Sequence, residues 1–553
     1  MKADLTRVTF NPFKHFTRVL IQQGRVENEA DPNEQTAILL HYLQNLAADI
    51  IGPHGGPKDN EGFTISPAYP NDFLIGAGHY YVDGILCESA STTIPIVGPS
   101  PAPDPHQVQV SAMWVDGTEF EKDHYVLVSS AKSPAAFNPT VAQITDTDPE
   151  SRTLTLDQAN AAFQNLANLP MIQRVATYMT QPDFPVPDDQ ALLSGKWYQV
   201  YLDVWERVIN YLEDDSIREV ALGGPDTASR AKLVCQVKVM PHGGSEAPLV
   251  CASPQELEKQ FQGLLRGRLR ARSNVVTIPL DPCLISPNAK YRGPENQLYR
   301  VEMHRPGTAW DGEDGPTKSS AATFKFSRDN GSIVFAVRDL ATDAGANTTT
   351  LTLESLGRDD RMGLTEGDWV EIQDDDSALQ GRAEPLLQVT SIDRTAMQVV
   401  LAGQPISDVG SVTSKHPLLR RWDQQQGDPG ENGLELSEGA ALIQEGDTWL
   451  NLEDGVQIQF LPAGPGQSMT YRTGDYWLIP ARVATGSVEW PIALDEQGNP
   501  VQDNLGNTVP IAVPPKGVKH NYAPLAVINL NATGSPVLPI TDCRKQFKAL
   551  TEP

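Results

Sequence analysis

Most of the chain alternates apolar and polar residues in short runs, the signature of half-buried strands. The longest run, WYQVYLDVWERVINYL at residues 197–212, is β-branched and aromatic and predicts a long central strand. LVCQVKVM at 233–240 predicts another. FLIGAGHYYVDGILCE alternates on both sides of Asp83-Gly84, a pair suited to a two-residue hairpin turn. Between about 297 and 340, QLYRVEMH precedes ATFKFSRDNGSIVFAV, in which Asp329-Asn330-Gly331-Ser332 is expected to join two runs as a hairpin. TLTLESL, WVEIQD, LLQVTSI and MQVVLA lie within 348–402 at a spacing that suggests a small barrel.

Helical periodicity is confined to a few places. Asp31 can cap, Pro32 suits the first helical position, and Glu34 stands where a capping box needs it. Leu39, Tyr42, Leu43, Leu46, Ala47 and Ile50 then recur at helical spacing until Gly52-Pro53. So wide a stripe predicts that this helix packs against another surface. A second capped helix is predicted from Ser253-Pro254, with Glu256 in the box position, and a short helix near 156–166.

The elements together predict a mainly β, multi-domain chain of sandwich- or barrel-like modules with a few short helices, one near the N-terminus. The expected segments are an N-terminal arm and capped helix (1–60), a β-hairpin module (61–97) and a linker with an irregular insertion (98–195), opened by the stiff GPSPAPDP. A central β-rich domain (196–345), a small barrel-like domain (346–405), a linker (406–439) and a C-terminal β-rich region (440–553) follow. Asp495…Gly498-Asn499-Pro500-Val501 recurs eight residues on as Asp503…Gly506-Asn507-Thr508-Val509, predicting a small β excursion.

Composition sharpens the picture. Gly and Pro number 43 and 44 in 553 residues, which suits many turns and disfavours a helical bundle. With 43 Lys and Arg against 70 Asp and Glu the net charge is −27, which makes nucleic acid and anionic lipid poor general partners, and none is expected. The five cysteines (Cys87, Cys235, Cys251, Cys283, Cys543) are scattered without a CxxC pair and are expected to be reduced thiols of a cytosolic product. No apolar leader and no run of 18 apolar residues is present, so neither a signal peptide nor a membrane span is expected.

Candidate chemistry is sparse. HExxH, G-x-S-x-G, Walker A and dinucleotide fingerprints are all missing, and the ten histidines do not pair at metal-ligand spacing. The acidic runs Asp311-Gly312-Glu313-Asp314-Gly315 and Asp374-Asp375-Asp376 lack a closing twelfth-position Glu and read as solvated turns. Asp203 and Glu206 flank Trp205 but point to opposite faces of a strand. No catalytic residue, cofactor or metal is therefore expected, and the chain reads as a non-enzyme. Two assembly contacts are expected instead. Phe10, Phe13 and Phe16 lie in the basic, aromatic KADLTRVTFNPFKHF. Arg266, Arg268, Arg270 and Arg272 alternate in GLLRGRLRARS, so a strand would present them on one side, to acidic groups of the fold or of a partner subunit. Trp197, Tyr198, Tyr201, Trp205, Tyr211, Tyr476 and Trp477 read as core.

Several segments carry a family resemblance. They include KADLTRVTFNPFKHFTRVLIQQGRV, DPNEQTAILLHYLQNLAADIIGPHGGP, YLDVWERVI, IREVALGGPDTASRAKLVCQVKV, GDYWLIPARVATGSVEWP and HNYAPLAVINL followed by ITDCRKQF. Over nearly its whole length the chain resembles the DUF6519 type of bacterial family. The resemblance implies a place among phage-tail-like particles and extracellular contractile injection systems. Some similar proteins continue into a right-handed β-helix. Here none is expected after DCRKQFKALTEP, so an attachment, adaptor or baseplate-peripheral role is implied rather than a receptor-binding fibre. The expectation is a structural subunit that contacts baseplate, sheath or spike proteins. It would form three- or six-fold homo-oligomers in a cytoplasmic or released particle. The alternatives are a carbohydrate-binding, adhesin-like module using tryptophans near the barrel, and a polysaccharide-degrading tail enzyme.

Overall fold

The computed structural model describes the chain except residues 68–69, 90, 99–103, 117, 133–135, 223–225, 243–249, 263–265, 274–289, 314, 360, 463, 465–468, 505 and 549–553. It is mainly β, as the alternating pattern predicts, and divides into two compact units. One comprises Met1–His41, Glu206–Lys232 and Gln262–Lys519; the other comprises Tyr42–Trp205, Leu233–Phe261 and His520–Pro553.

In the second of these units the strand Trp197–Ile209 is central, held between Arg230–Pro241 and Asn521–Asn529. Residues 198–205 are all buried, so this strand needs cover on both faces and both edges. Val200, Leu202 and Val204 pack with Phe73, Tyr80, Tyr178 and Leu525. An eight-stranded sheet lies in the same unit. The segment 98–195, expected as a linker and irregular insertion, instead supplies five of its strands: Gln107–Val110, Tyr125–Ser130, Thr140–Asp148, Thr153–Leu156 and Pro170–Thr177. The helix expected near 156–166 is shorter, Ala161–Gln164, followed by a 3-10 turn at Leu166–Asn168. The Asp83-Gly84 hairpin forms as predicted, joining Gly78–Val82 to Ile85–Ser89 with φ of +50° and +75° at the turn. The helix Pro254–Gln262 carries the expected capping box: Ser253 N donates to Glu256 Oε2 (2.7 Å), and Glu256 N donates to Ser253 Oγ (3.2 Å).

The cysteine expectation is overturned for two residues. Cys251 and Cys543 form a disulfide, with Cα atoms 5.7 Å apart at a sequence separation of 292. Gln199 brings both ends to one place. Its Oε1 accepts from Ala252 N (3.0 Å), and its Nε2 donates to Ala526 O (3.0 Å) beside Cys543. No spacing rule could reveal a pair so distant in sequence. Cys87 and Cys235 are free thiols, and Cys283 lies outside the described residues.

In the other unit a closed barrel takes the order Val334–Asp343, Thr348–Leu353, Gln398–Ala402, Leu386–Asp393, Trp369–Gln373 and Leu418–Trp422. The four predicted strands are all present, joined by one strand from each side. Phe335, Val337, Leu351, Val370, Val399 and Leu419 help to fill it. The hairpin expected at 329–332 does not form. A turn is there, with φ of +53° at Asn330 and +68° at Gly331, but Thr323–Ser327 enters a six-stranded sheet and Val334–Asp343 enters the barrel. The reason is edge occupancy: Gln297–Met303 and Ala440–Leu442 already flank Thr323–Ser327.

The N-terminal helix spans Ala30–Ile51. It begins before the predicted cap, because Asn28 Oδ1 accepts from Ala30 N (3.0 Å), and Glu34 binds Thr9 Oγ1 (2.6 Å) rather than closing a box. Its end is as expected, with Gly52 at φ +94°. The described residues leave most of its predicted stripe exposed. Leu39, Leu43, Leu46 and Ile50 are 53%, 61%, 57% and 57% exposed, while Ala30 and Ile38 are buried. Main-chain approach replaces side-chain packing at Gly84, where a Cβ would collide with the Gln44 carbonyl. Among the described residues no helix is long and apolar enough to cross a membrane.

Candidate functional site

The arm before this helix is rooted in charge and then released. Lys2 Nζ lies 2.9 Å from Glu302 Oε1, and Asn330 Nδ2 donates to the carbonyls of Met1 (3.1 Å) and Ala3 (2.8 Å). Arg482 Nη2 donates to Thr6 O (3.0 Å), and Thr6 N donates to Glu29 Oε1 (2.9 Å). Phe10 then meets the His41 ring at 5.6 Å between centroids. Beyond it Phe13 is 85% exposed and Phe16 54%, with Leu20, Ile21 and Val26 also exposed. Lys14, Arg18 and Arg25 are exposed along the same stretch. Of the three predicted phenylalanines, therefore, Phe10 packs within the unit while Phe13 and Phe16 project.

The predicted arginine face forms in part. Arg268, Arg270 and Arg272 share one side of the strand Arg268–Ser273, whose other side buries Leu269 and Ala271. Arg266 precedes the strand and pairs with Asp475. Arg270 Nε donates to Gln459 Oε1, and Arg272 Nε to Gln457 Oε1 (2.9 Å). Both guanidinium groups lie over Trp449, at 5.1 and 4.0 Å from the ring centroid. Arg268 is exposed.

Sequence reasoning missed the buried ions at the root of the arm. Arg300 Nε donates to Glu302 Oε2 (2.5 Å), and Lys325 Nζ donates to Glu371 Oε2 (2.5 Å), which also accepts from Trp422 Nε1 (3.1 Å). Burial by itself would raise the Glu302 and Glu371 carboxyls, but nearby cations outweigh it and hold both below the ordinary range. For Glu302 the cations are Lys2, Arg300 and Lys325; for Glu371 Lys325 is foremost. A neighbouring set behaves oppositely. Arg328 Nη2 donates to Glu453 Oε2 (2.6 Å), and Arg328 N donates to Asp423 Oδ2 (2.9 Å). Burial, reinforced by Asp423 and Asp454, pushes Glu453 up to about 7 against the pull of Arg328. Burial and Asp423 push Asp329 up to about 6. The available signal was the charged residue inside apolar strands, as in QLYRVEM and TFKFS.

A second group joins distant parts of the chain in the other unit. Asp203 is buried and accepts from Lys238 Nζ (2.8 Å), while His520 Nδ1 lies 2.7 Å from its other oxygen. The His520 ring stacks on Trp205 and Tyr522. Glu206 is exposed, so it and Asp203 do point apart. Asp374 caps the short helix Asp375–Gln380 through Ser377, and Asp375 and Asp376 meet Arg207 and Lys415. Among the described residues no group of three or more His, Cys, Asp or Glu is placed to hold a metal ion.

Lys2, Arg300 and Lys325 about Glu302 and Glu371, and Lys238 and His520 about Asp203, thus tie together residues far apart in sequence, each set within one unit. Near the barrel Trp422 is buried, and the partly buried Trp369 packs beside Leu386 and Ala440. The basic, aromatic arm faces outward at Phe13 and Phe16, while its root is anchored at Lys2, Ala3 and Thr6.

A family model described as "Family of unknown function (DUF6519)" matches residues 1–127, 174–264 and 265–537. No curated protein and no solved structure matches the chain.

Proposed function

The chain belongs to the DUF6519 family, and we propose that it is a non-enzymatic structural subunit that docks onto a larger assembly through its N-terminal arm. The supporting observation is the contrast along residues 1–27: the root is tied by buried ions and hydrogen bonds, whereas Phe13 and Phe16 project into solvent. Aromatic side chains with few rotatable bonds and adjacent arginines are the residue types that supply binding energy at protein interfaces. The arm carries five Lys or Arg against two Asp or Glu in a chain of net charge −27, so it favours an acidic partner surface. The kind of assembly, a phage-tail-like contractile particle with this subunit at the baseplate periphery or a fibre base, rests on the family resemblance alone.

The test is the composition of sheath-like particles purified from the native host. Wild-type protein is expected as a stoichiometric component, and Phe13→Ala with Phe16→Ala should lower its incorporation at least tenfold while the isolated variant keeps its circular dichroism. Normal incorporation of the variant, or particles lacking the wild-type protein, would overturn the reading.

A further inference from the structure

The exposed stripe on the N-terminal helix has a different character from the arm. Between Gln35 and Ala48 the helix has no Asp, Glu, Lys or Arg, although the chain as a whole carries 113 such residues. A helix facing water normally turns charge outward; this one turns out Leu39, Leu43, Leu46 and Ile50. At 100° per residue these four fall within about 60° of one another, in a seam roughly 16 Å long. With Leu40 and Tyr42 beside them, also exposed, they present on the order of 600 Å² of apolar surface, near the roughly 800 Å² each partner gives to a stable interface.

We infer that this seam binds a second copy of the same chain, with the two helices antiparallel. Three observations select that occupant. Two copies of an acidic protein repel over most of their surfaces, and the charge-free seam is where they can close without bringing carboxylates together. The seam is also self-complementary about the point between Gln44 and Asn45. Reversal places Leu39 against Ile50 of the second copy and Leu43 against Leu46 of the second copy, as a two-fold contact requires. Finally, the acidic Asp31 and Glu34 stand near the helix start. Parallel helices would gather those carboxylates and align their dipoles, whereas reversal separates the carboxylates and opposes the dipoles. The contact rests on the assembly reading for its purpose, but its test does not.

Light scattering of the full chain after gel filtration, at 10 μM and above, reads the contact directly. A mass of twice 60.3 kDa is expected for wild type and for F13A/F16A. Leu43→Glu with Leu46→Glu should weaken self-association at least tenfold. Leu39→Cys with Ile50→Cys should cross-link into a covalent dimer under mild oxidation, and Leu43→Cys alone should not. A monomeric wild type, or a dimer unaffected by L43E/L46E, would overturn the inference. Cross-linking of L43C alone as efficiently as L39C/I50C would overturn the antiparallel arrangement. A dimer that survives while F13A/F16A still enters particles would sink the arm reading and leave this one standing.

Discussion

Glu453 offers a quantitative check on the buried charge around the barrel. Its carboxyl titrates near 7 in the folded chain, against 4.5 when exposed, because burial and the carboxylates of Asp423 and Asp454 outweigh Arg328. A raised acid pKa means that the folded state binds the proton more tightly than the unfolded state. Glu453 therefore contributes stability below pH 4.5, and that contribution is lost as pH rises through 7. A difference of about 2.5 units corresponds to about 3 kcal/mol between those limits. Asp329, raised to about 6 chiefly by burial and Asp423, acts in the same direction between pH 4 and 6. Glu302 acts oppositely: its pKa is lowered, so its stabilisation is present above pH 4.5 and fades below it. Among these groups every loss above pH 4.5 comes from Glu453 and Asp329, so stability of this unit should be highest near pH 4.5 and fall from there toward pH 7. Glu453→Gln keeps the shape and an acceptor for Arg328 but removes the proton. Urea unfolding followed by tryptophan fluorescence, at half-unit steps from pH 4.5 to 8, is the assay. The variant should lose most of the decline between pH 6 and 7.5 and keep the part due to Asp329 below pH 6. Parallel curves for wild type and E453Q would refute the electrostatic account.

Two further outcomes follow from the same structure. Lys325→Met leaves Glu371 and Glu302 buried without their shared ammonium and should cost about 3–5 kcal/mol; adding Glu371→Gln should recover part of that loss, measured by a double-mutant cycle in urea. Reduction of Cys251–Cys543, or Cys251→Ser with Cys543→Ser, should destabilise its unit by about 2–4 kcal/mol, read as a lower thermal midpoint in dithiothreitol for wild type only.

Local chemistry was legible where one short segment decides the outcome. Asp83-Gly84 specifies its turn, Ser253 with Glu256 specifies a helix start, and the alternation of Trp197–Ile209 specifies a strand. Partner choice was not legible. The turn at Asn330-Gly331 has the residues of a hairpin, yet its two flanking strands pair elsewhere. The pattern of Leu39, Leu43, Leu46 and Ile50 marks an apolar face without saying whether the same chain covers it. Phe13 and Phe16 stand among the expected contacts because they lie in a basic, aromatic segment ahead of the helix, and both side chains are exposed. Lys2 with Glu302, Lys325 with Glu371 and Asp203 with His520 were missed, since each pair is dozens to hundreds of residues apart and joined by topology alone.

The register of Trp197–Val204 against Asn521–Asn529 has a consequence for biosynthesis. One long edge of an aromatic, β-branched strand waits for a partner more than 300 residues downstream. At about 5–20 residues per second, that partner leaves the ribosome about 15–60 s later. During the interval the strand offers unpaired backbone to any other extended chain, including neighbours on the same message. Such non-local pairing also folds slowly once both strands exist. Chains that stop short of residue 521 will keep that edge bare, and insoluble fragments rather than soluble half-proteins are the form in which they should accumulate.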